Sequence, residues 1–352
     1  MPGLRSTLAG LARNRSALEG KIAEALRAAQ LPLPRAASSA PTLRETVDFG
    51  TNPGRLRMFS CAPAGPLAPL VVVLHGCTQT AAGYDRGAGW SALAQDHGFA
   101  VLAPEQVSGN NPNGCFSWFQ PGDTKRDQGE ALSIRQMIER MAFDHAIDRG
   151  RIFVTGLSAG GAMASSLLAA YPDVFAGGAV IAGLPHGSAA NVQQAFGAMS
   201  APAARGPRQW GDAVRLASPH KGAFPRVMIW HGDADRTVAP GNASASVAQW
   251  LDVHGIAQAA AQTTRTGGLE RTAYQGPQGV LVESISVLGM GHGVPIARTG
   301  EGAGVPGPFV LDVGVSSTAE IARFWGLLDT PRPREKVAAR KTKSLLEALL
   351  AR

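Results

Sequence analysis

Arg151-Ile152-Phe153-Val154-Thr155-Gly156-Leu157-Ser158-Ala159-Gly160-Gly161 is the stretch that decides the fold. Gly156, Ser158 and Gly160 satisfy the pattern G-x-S-x-G. In a chain with 43 glycines the pattern alone says little; its surroundings say more. Arg151–Val154 reads as a short buried strand, and Ala162 to Ala170 as a helix of small and apolar residues. Strand, tight turn and helix are the setting of a nucleophile elbow. Residues flanking such a serine must lack bulk, a need that glycine meets. Ser158 then stands exposed at the top of a sheet. The helix behind it points its first N–H groups at any oxyanion formed there.

A serine nucleophile needs a base, and the base needs an orienting carboxylate. In α/β-hydrolases the order along the chain is Ser, Asp or Glu, His. The apolar strand Val227–Trp230 leads into His231-Gly232-Asp233-Ala234-Asp235-Arg236-Thr237-Val238. The pattern H-G-x-x-D-x-x-V marks Asp235 as the acid and leaves Asp233 to cap the turn. Further on, Val280–Val287 alternates like a strand and runs into Gly289-Met290-Gly291-His292-Gly293. Glycines on both sides let that loop carry His292, the expected base, over Ser158. Of the other histidines, His231 reads as a hydrogen-bonded structural residue closing its strand. His97, His145, His220 and His254 read as solvated helix-end residues, and His186 as part of a surface loop.

The oxyanion hole is expected from an earlier strand. Leu70-Val71-Val72-Val73-Leu74 reads as buried on both faces and ends in His75-Gly76-Cys77-Thr78-Gln79. The backbone N–H of Cys77 and that of Ala159, next to the nucleophile, are the two donors. His75 reads as a structural residue under the loop.

Alternating strands and helices predict a mostly parallel sheet covered on both faces. The helices fall at Trp90–His97, Gly129–His145, Gly161–Ala170, Asn242–His254 and Ser317–Leu328. Further strands fall at Phe99–Ala103 and Gly177–Ala182. Residues 42–330 form the catalytic domain. Residues 1–41 hold an amphipathic helix, with Leu4, Leu8, Leu11, Leu18, Ile22 and Leu26 on one face, and a linker from Pro32 to Pro41. Residues 331–352 are a basic tail. The N-terminal helix is expected to pack on the body or on a second copy, giving a homodimer.

The net charge of +7 is carried by the ends: residues 1–35 hold +4, residues 332–352 hold +5, and the middle holds −2. No nucleic-acid partner is expected, and the basic ends read as solvated faces. No apolar run approaches the roughly 20 residues of a membrane helix. Arginines and a lysine interrupt Met1–Gln30, so no signal peptide is visible and a cytoplasmic location is expected. Cys61, Cys77 and Cys115 lack paired C-x-x-C spacing, so they make no metal site. A Cys77–Cys115 bridge is open in principle, although free thiols are the default in a reducing cytosol. Asn110–Phe119, a Gly/Asn/Pro loop with aromatics, is either a substrate platform or a loop pinned to the core.

From Asn52 to Gly326 the chain resembles the polyhydroxybutyrate depolymerase family of esterases, on four motifs. They are Leu74-His75-Gly76-Cys77-Thr78-Gln79, Gly156-Leu157-Ser158-Ala159-Gly160-Gly161, His231-Gly232-Asp233-Ala234-Asp235 and Gly289-Met290-Gly291-His292. The resemblance implies an α/β-hydrolase fold, a Ser158, Asp235 and His292 triad, and Cys77 and Ala159 amides as oxyanion donors. It also implies a Cys77–Cys115 bridge, as in secreted members, and contact of Trp118 with polymer. Gln79 is counted with Trp118 as substrate-binding. No separate polymer-binding domain or leader is visible, a departure from secreted members. The expected substrates are short-chain hydroxyalkanoate polyesters, their oligomers or small acyl esters. The chemistry calls for no metal or organic cofactor. Since poly(aspartic acid) hydrolases also resemble this group, amide cleavage with the same triad is the alternative. A catalytically dead fold used for binding is a third reading, against which the intact triad argues.

Overall fold

The computed structural model describes residues 43–63 and 67–328. The expected N-terminal helix, the linker and the basic tail lie outside them, and so does the expected dimer contact. Ten strands form one sheet. Along the chain they are β1 (Arg44–Thr46), β2 (Arg57–Cys61), β3 (Ala68–Leu74), β4 (Ala100–Glu105) and β5 (Ile147–Leu157), followed by β6 (Gly177–Ile181), β7 (Arg226–Gly232), β8 (Ala261–Thr266), β9 (Leu269–Gly276) and β10 (Gly279–Val287). Their order across the sheet is β1-β2-β4-β3-β5-β6-β7-β10-β9-β8. The six strands from β4 to β10 pair in parallel, while both margins are antiparallel. This is the α/β-hydrolase arrangement expected from the alternating elements.

Each central strand is apolar on both faces because helices cover both. In β3, Leu70, Val72 and Leu74 join one core cluster, and Val71 and Val73 join the other. That split is the two-residue period of a strand. The first cluster is closed by Ile134 and Met137 of α4 (Gly129–Asp144), Met163 and Leu167 of α5 (Ala159–Ala170) and Trp250 of α8 (Gly241–His254). The second is closed by Tyr84 of α1 (Ala81–Ala88), Trp90 and Leu93 of α2 (Trp90–His97) and Ile321 of α9 (Ser317–Phe324). Two more helices, α6 (Val192–Ser200) and α7 (Pro207–Arg215), fill the connection from β6 to β7. A short α3 (Pro121–Thr124) precedes α4. A two-stranded sheet, β11 (Val294–Ile296) with β12 (Val310–Asp312), follows the His292 loop. No described helix is long and apolar enough to cross a membrane.

The margins depart from the sequence reading. β8 is exposed along its whole length and carries Gln262, Thr263, Thr264 and Arg265, so it has no buried face to print a period. Polar edge strands of this kind discourage further pairing. The helix expected over Ser317–Leu328 stops at Phe324, and the chain turns at Gly326 with φ 69°. The two hairpin turns of the margin sit at opposite ends of the sheet. Gly267-Gly268, at φ 58° and 78°, turns β8 into β9 beside Val287. Pro277-Gln278 turns β9 into β10 at the far end.

Candidate active site

Ser158 ends β5 and opens α5 in a single step. Its backbone lies at φ 57° and ψ −116°, a region that costs a non-glycine residue roughly 1–3 kcal/mol. Two backbone bonds hold it there: Ser158 N–H donates to Ile181 O, and Ser158 O accepts from Ala162 N–H, each at 2.9 Å. Space demands both motif glycines. A Cβ on Gly156 would stand 2.4 Å from the Gly160 carbonyl, and one on Gly160 would stand 2.4 Å from Leu74 O and 2.5 Å from His75 O. Helix α5 therefore begins pressed against the end of β3.

The strand ends are stitched across the sheet. After Ser158 N–H to Ile181 O come Ala182 N–H to Trp230 O at 2.8 Å and Asp233 N–H to Val287 O at 3.2 Å. So β5, β6, β7 and β10 finish side by side, and the loops carrying residues 158, 235 and 292 leave the same edge, where open α/β sheets build their sites. The His292 loop is drawn back over β7. Ala234 N–H donates to Met290 O at 3.1 Å, and a Cβ on Gly232 would lie 2.2 Å from Met290 O. Asp233 pins the start of this loop by accepting from Gly289 N–H at 2.6 Å.

Asp235 is 5% exposed and its carboxylate is fully engaged. Oδ1 accepts from the N–H groups of Thr237 at 2.8 Å and Val238 at 3.0 Å. Oδ2 lies 2.7 Å from His292 Nδ1 and 3.2 Å from His231 Nε2. Burial alone would raise its pKa, but hydrogen bonds from His231 and His292 outweigh burial and hold it below the usual carboxylate range. The bond at His292 Nδ1 leaves Nε2 as the free nitrogen. The His292 ring meets Phe309 edge-on at 5.9 Å. No hydrogen bond joins Ser158 Oγ to His292; contacts of this kind often close only once substrate is in place.

The loop after β3 is braced on every side. His75 is wholly buried, donates from Nδ1 to Gly76 O at 2.8 Å and accepts at Nε2 from Gln106 N–H at 3.1 Å. Burial lowers its pKa, which keeps it an acceptor there. Cys77 is bonded to Cys115, 38 residues on, and Thr78 N–H donates to Asn113 O at 2.7 Å. The N–H groups of Cys77 and Ala159 find no acceptor among the described residues.

Residues 59–275 match the model of the family described as esterase PHB depolymerase. Poly(3-hydroxyalkanoate) depolymerase C of Paucimonas lemoignei is 47% identical over 310 residues, 86% of this chain and 74% of its own. The chain belongs to the esterase PHB depolymerase family. It is a carboxylic ester hydrolase. Acetylxylan esterase A of Aspergillus oryzae is 30% identical over 275 residues, 75% of this chain and 87% of its own. The solved acetyl xylan esterase from Aspergillus awamori superposes with a TM-score of 0.70 at 24% identity, covering 82% of this chain and all of that one, a likeness of fold.

The other candidate side chains of this esterase are held by their neighbours. The Gln79 amide braces the loop: Oε1 accepts from Gly76 N–H at 2.9 Å and Nε2 donates to Pro308 O at 3.2 Å. It ties the loop after β3 to the segment that carries Phe309. Trp118 is 8% exposed and stacks edge-on with Phe119, and Phe116 is wholly buried at 5.0 Å from His75. The Asn110–Phe119 loop is thus anchored by its aromatics, with little of the Trp118 ring offered to a polymer. His186 lies in the turn after β6 and is half-buried. Its ring packs inward with Nδ1 3.2 Å from Ser166 Oγ of α5, and burial with nearby Arg205 pushes its pKa down to about 4. His254, too, is tucked in, with Nε2 3.2 Å from Pro225 O.

Sequence reading missed Glu130. It opens α4 as an ordinary first-turn acid, yet it is 1% exposed. Its Oε1 accepts from Gln106 Nε2 at 2.5 Å and its Oε2 from Ser117 N–H at 2.9 Å. Through Gln106 it supports His75, and through Ser117 it supports the loop bearing Cys115. Burial, opposed by those hydrogen bonds, raises its pKa to about 7.

Proposed function

We propose that Ser158, His292 and Asp235 are the nucleophile, base and acid of a triad that hydrolyses esters through an acyl-enzyme. The observation that carries this is the 2.7 Å bond from His292 Nδ1 to a fully engaged Asp235, at the edge where Ser158 is held in its strained turn. Ser158 Oγ attacks the ester carbonyl while His292 Nε2 takes its proton. The N–H groups of Cys77 and Ala159 receive the negative charge on the former carbonyl oxygen. The intermediate collapses, the alcohol leaves with the proton from His292, and the acyl group stays on Ser158. Water then gives a proton to His292 and attacks the acyl carbon, releasing the acid and restoring Ser158. Asp235 holds the imidazole and balances its charge.

The substrates proposed are short-chain polyhydroxyalkanoate polyesters, their oligomers and small acyl esters. The 47% identity to a poly(3-hydroxyalkanoate) depolymerase supports this choice. The Cys77–Cys115 bond supports work in an oxidising compartment, in place of the cytoplasm expected from the N-terminal sequence. The test is Ser158→Ala against a chromogenic butyryl ester and hydroxybutyrate oligomers. Activity should fall by about 10⁴-fold or more, and a fluorophosphonate should label the parent enzyme and leave the variant unlabelled. Turnover by Ser158→Ala at the parent rate would refute the assignment.

A further inference from the structure

The triad carboxylate of this enzyme has two imidazoles on one oxygen. Asp235 Oδ2 lies 2.7 Å from His292 Nδ1 and 3.2 Å from His231 Nε2. His231 Nε2 also lies 2.9 Å from Val238 O. Both of its neighbours are acceptors, so Nε2 must carry the proton: it donates to Val238 O, with Asp235 Oδ2 beside it. A proton on Nδ1 would meet nothing, since that atom is buried with no partner. His231 is 3% exposed and takes up the register position opposite Ser286 of β10.

From this geometry we infer that His231 is a positioning residue for catalysis: it clamps the Asp235 carboxylate in the orientation that receives His292. The inference rests on the proposed triad. It makes one closed unit of the spacing H-G-x-x-D-x-x-V. His231 donates to Val238 O, Val238 N–H donates to Asp235 Oδ1, and Asp235 N–H donates to Gly232 O at 3.2 Å. Gly232 completes the unit because the His292 loop crosses it at the Met290 carbonyl, where a Cβ has no room. Two amides fix Oδ1. Only His231 restrains Oδ2 from the strand side, opposite the pull of His292. Without it, a carboxylate hinged on Oδ1 can swing its other oxygen about the Cβ–Cγ bond and carry the His292 ring with it. Displacement of a catalytic group by about 1 Å can cost 10²-fold in rate.

The experiment compares His231→Leu and His231→Gln in the full chain, with kcat expressed per site titrated by a fluorophosphonate. A Gln amide reaches nearly as far as Nε2 and keeps an N–H donor; Leu keeps only the bulk. His231→Leu should lower kcat by 10- to 100-fold with KM within twofold, and His231→Gln should return kcat to within threefold of the parent. Parent-like kcat in His231→Leu, equal impairment of both variants, or a change confined to KM would each overturn the inference. Should His231→Leu fail to fold, His231→Asn, whose shorter amide cannot span both acceptors, takes its place with the same expected outcomes. Ser158→Ala run alongside separates the two proposals. If it is active, the triad reading falls. If it is dead and His231→Leu is unimpaired, only the positioning role falls.

Discussion

Replacing Gly160 by Ala adds one methyl group at the most crowded backbone contact of the site. That carbon would stand 2.4 Å from Leu74 O, 2.5 Å from His75 O and 2.7 Å from Leu74 C. All three atoms are backbone, so no side chain can swing aside. Ordinary contact begins near 3.4 Å, so α5 and the end of β3 must separate by about 1 Å. Overpacking of this kind costs about 1–3 kcal/mol, and the absence of any flexible neighbour puts Gly160→Ala at the upper end. The catalytic loss should be larger than stability alone explains. The two faces forced apart carry Ala159 N–H and Cys77 N–H, the proposed oxyanion donors, and losing one such donor typically costs about 2.7–4 kcal/mol. The expected result is a kcat/KM lower by 10²- to 10³-fold on a soluble butyryl ester. Urea denaturation should still show a cooperative transition, moved by about 3 kcal/mol. A variant that unfolds earlier by that amount but keeps kcat/KM within threefold would refute the claim that this contact sets the oxyanion geometry.

Glu130→Gln tests the buried carboxyl. Its folded-state pKa is raised from 4.5 to about 7 by burial, so the native state binds the proton more tightly and its contribution to stability falls as pH rises across that window. The gap of about 2.5 units amounts to about 3 kcal/mol. Relative to the parent, the variant should gain that much between about pH 4 and pH 8 in urea titrations; a pH-independent difference would contradict it. Removing the disulfide with Cys77→Ser and Cys115→Ser opens a 38-residue separation, worth about 4 kcal/mol on the chain-entropy account. The unfolding midpoint should drop, and kcat should drop further because the loop bearing Cys77 N–H loses its tether. Unchanged kcat at a temperature where the variant is folded would count against that tether.

The parts of the fold that could be read from sequence are those with two buried faces. Leu70–Leu74 and Val227–Trp230 are unbroken apolar runs, and nothing but burial on both sides accounts for them. The site was legible where chemistry and backbone geometry ask for one residue type. Gly156 and Gly160 are dictated by carbonyls 2.4 Å away, and Asp235 by the two amides it caps. The margins were illegible because β1 and β8 bury too little to show a period. Gly267-Gly268 was a hairpin signal in plain view, hidden by the polarity of the strands around it. The partners of Glu130, Gln79 and His186 were illegible for a different reason. Each is a polar side chain whose partners come from distant segments, and sequence alone does not bring Gln106 to Glu130, Pro308 to Gln79 or Ser166 to His186.

The two hairpin turns bear on how the enzyme could be fixed to a solid support. Gly267-Gly268 lies at the reactive edge, and Gly268 O accepts from Leu288 N–H at 2.8 Å, at the root of the His292 loop. A bead or surface coupled there would shadow the mouth of the proposed active site. Pro277-Gln278 lies at the other end of the same ribbon, one strand length away. Coupling through that turn presents the mouth outward, so it is the attachment point for digesting an insoluble film.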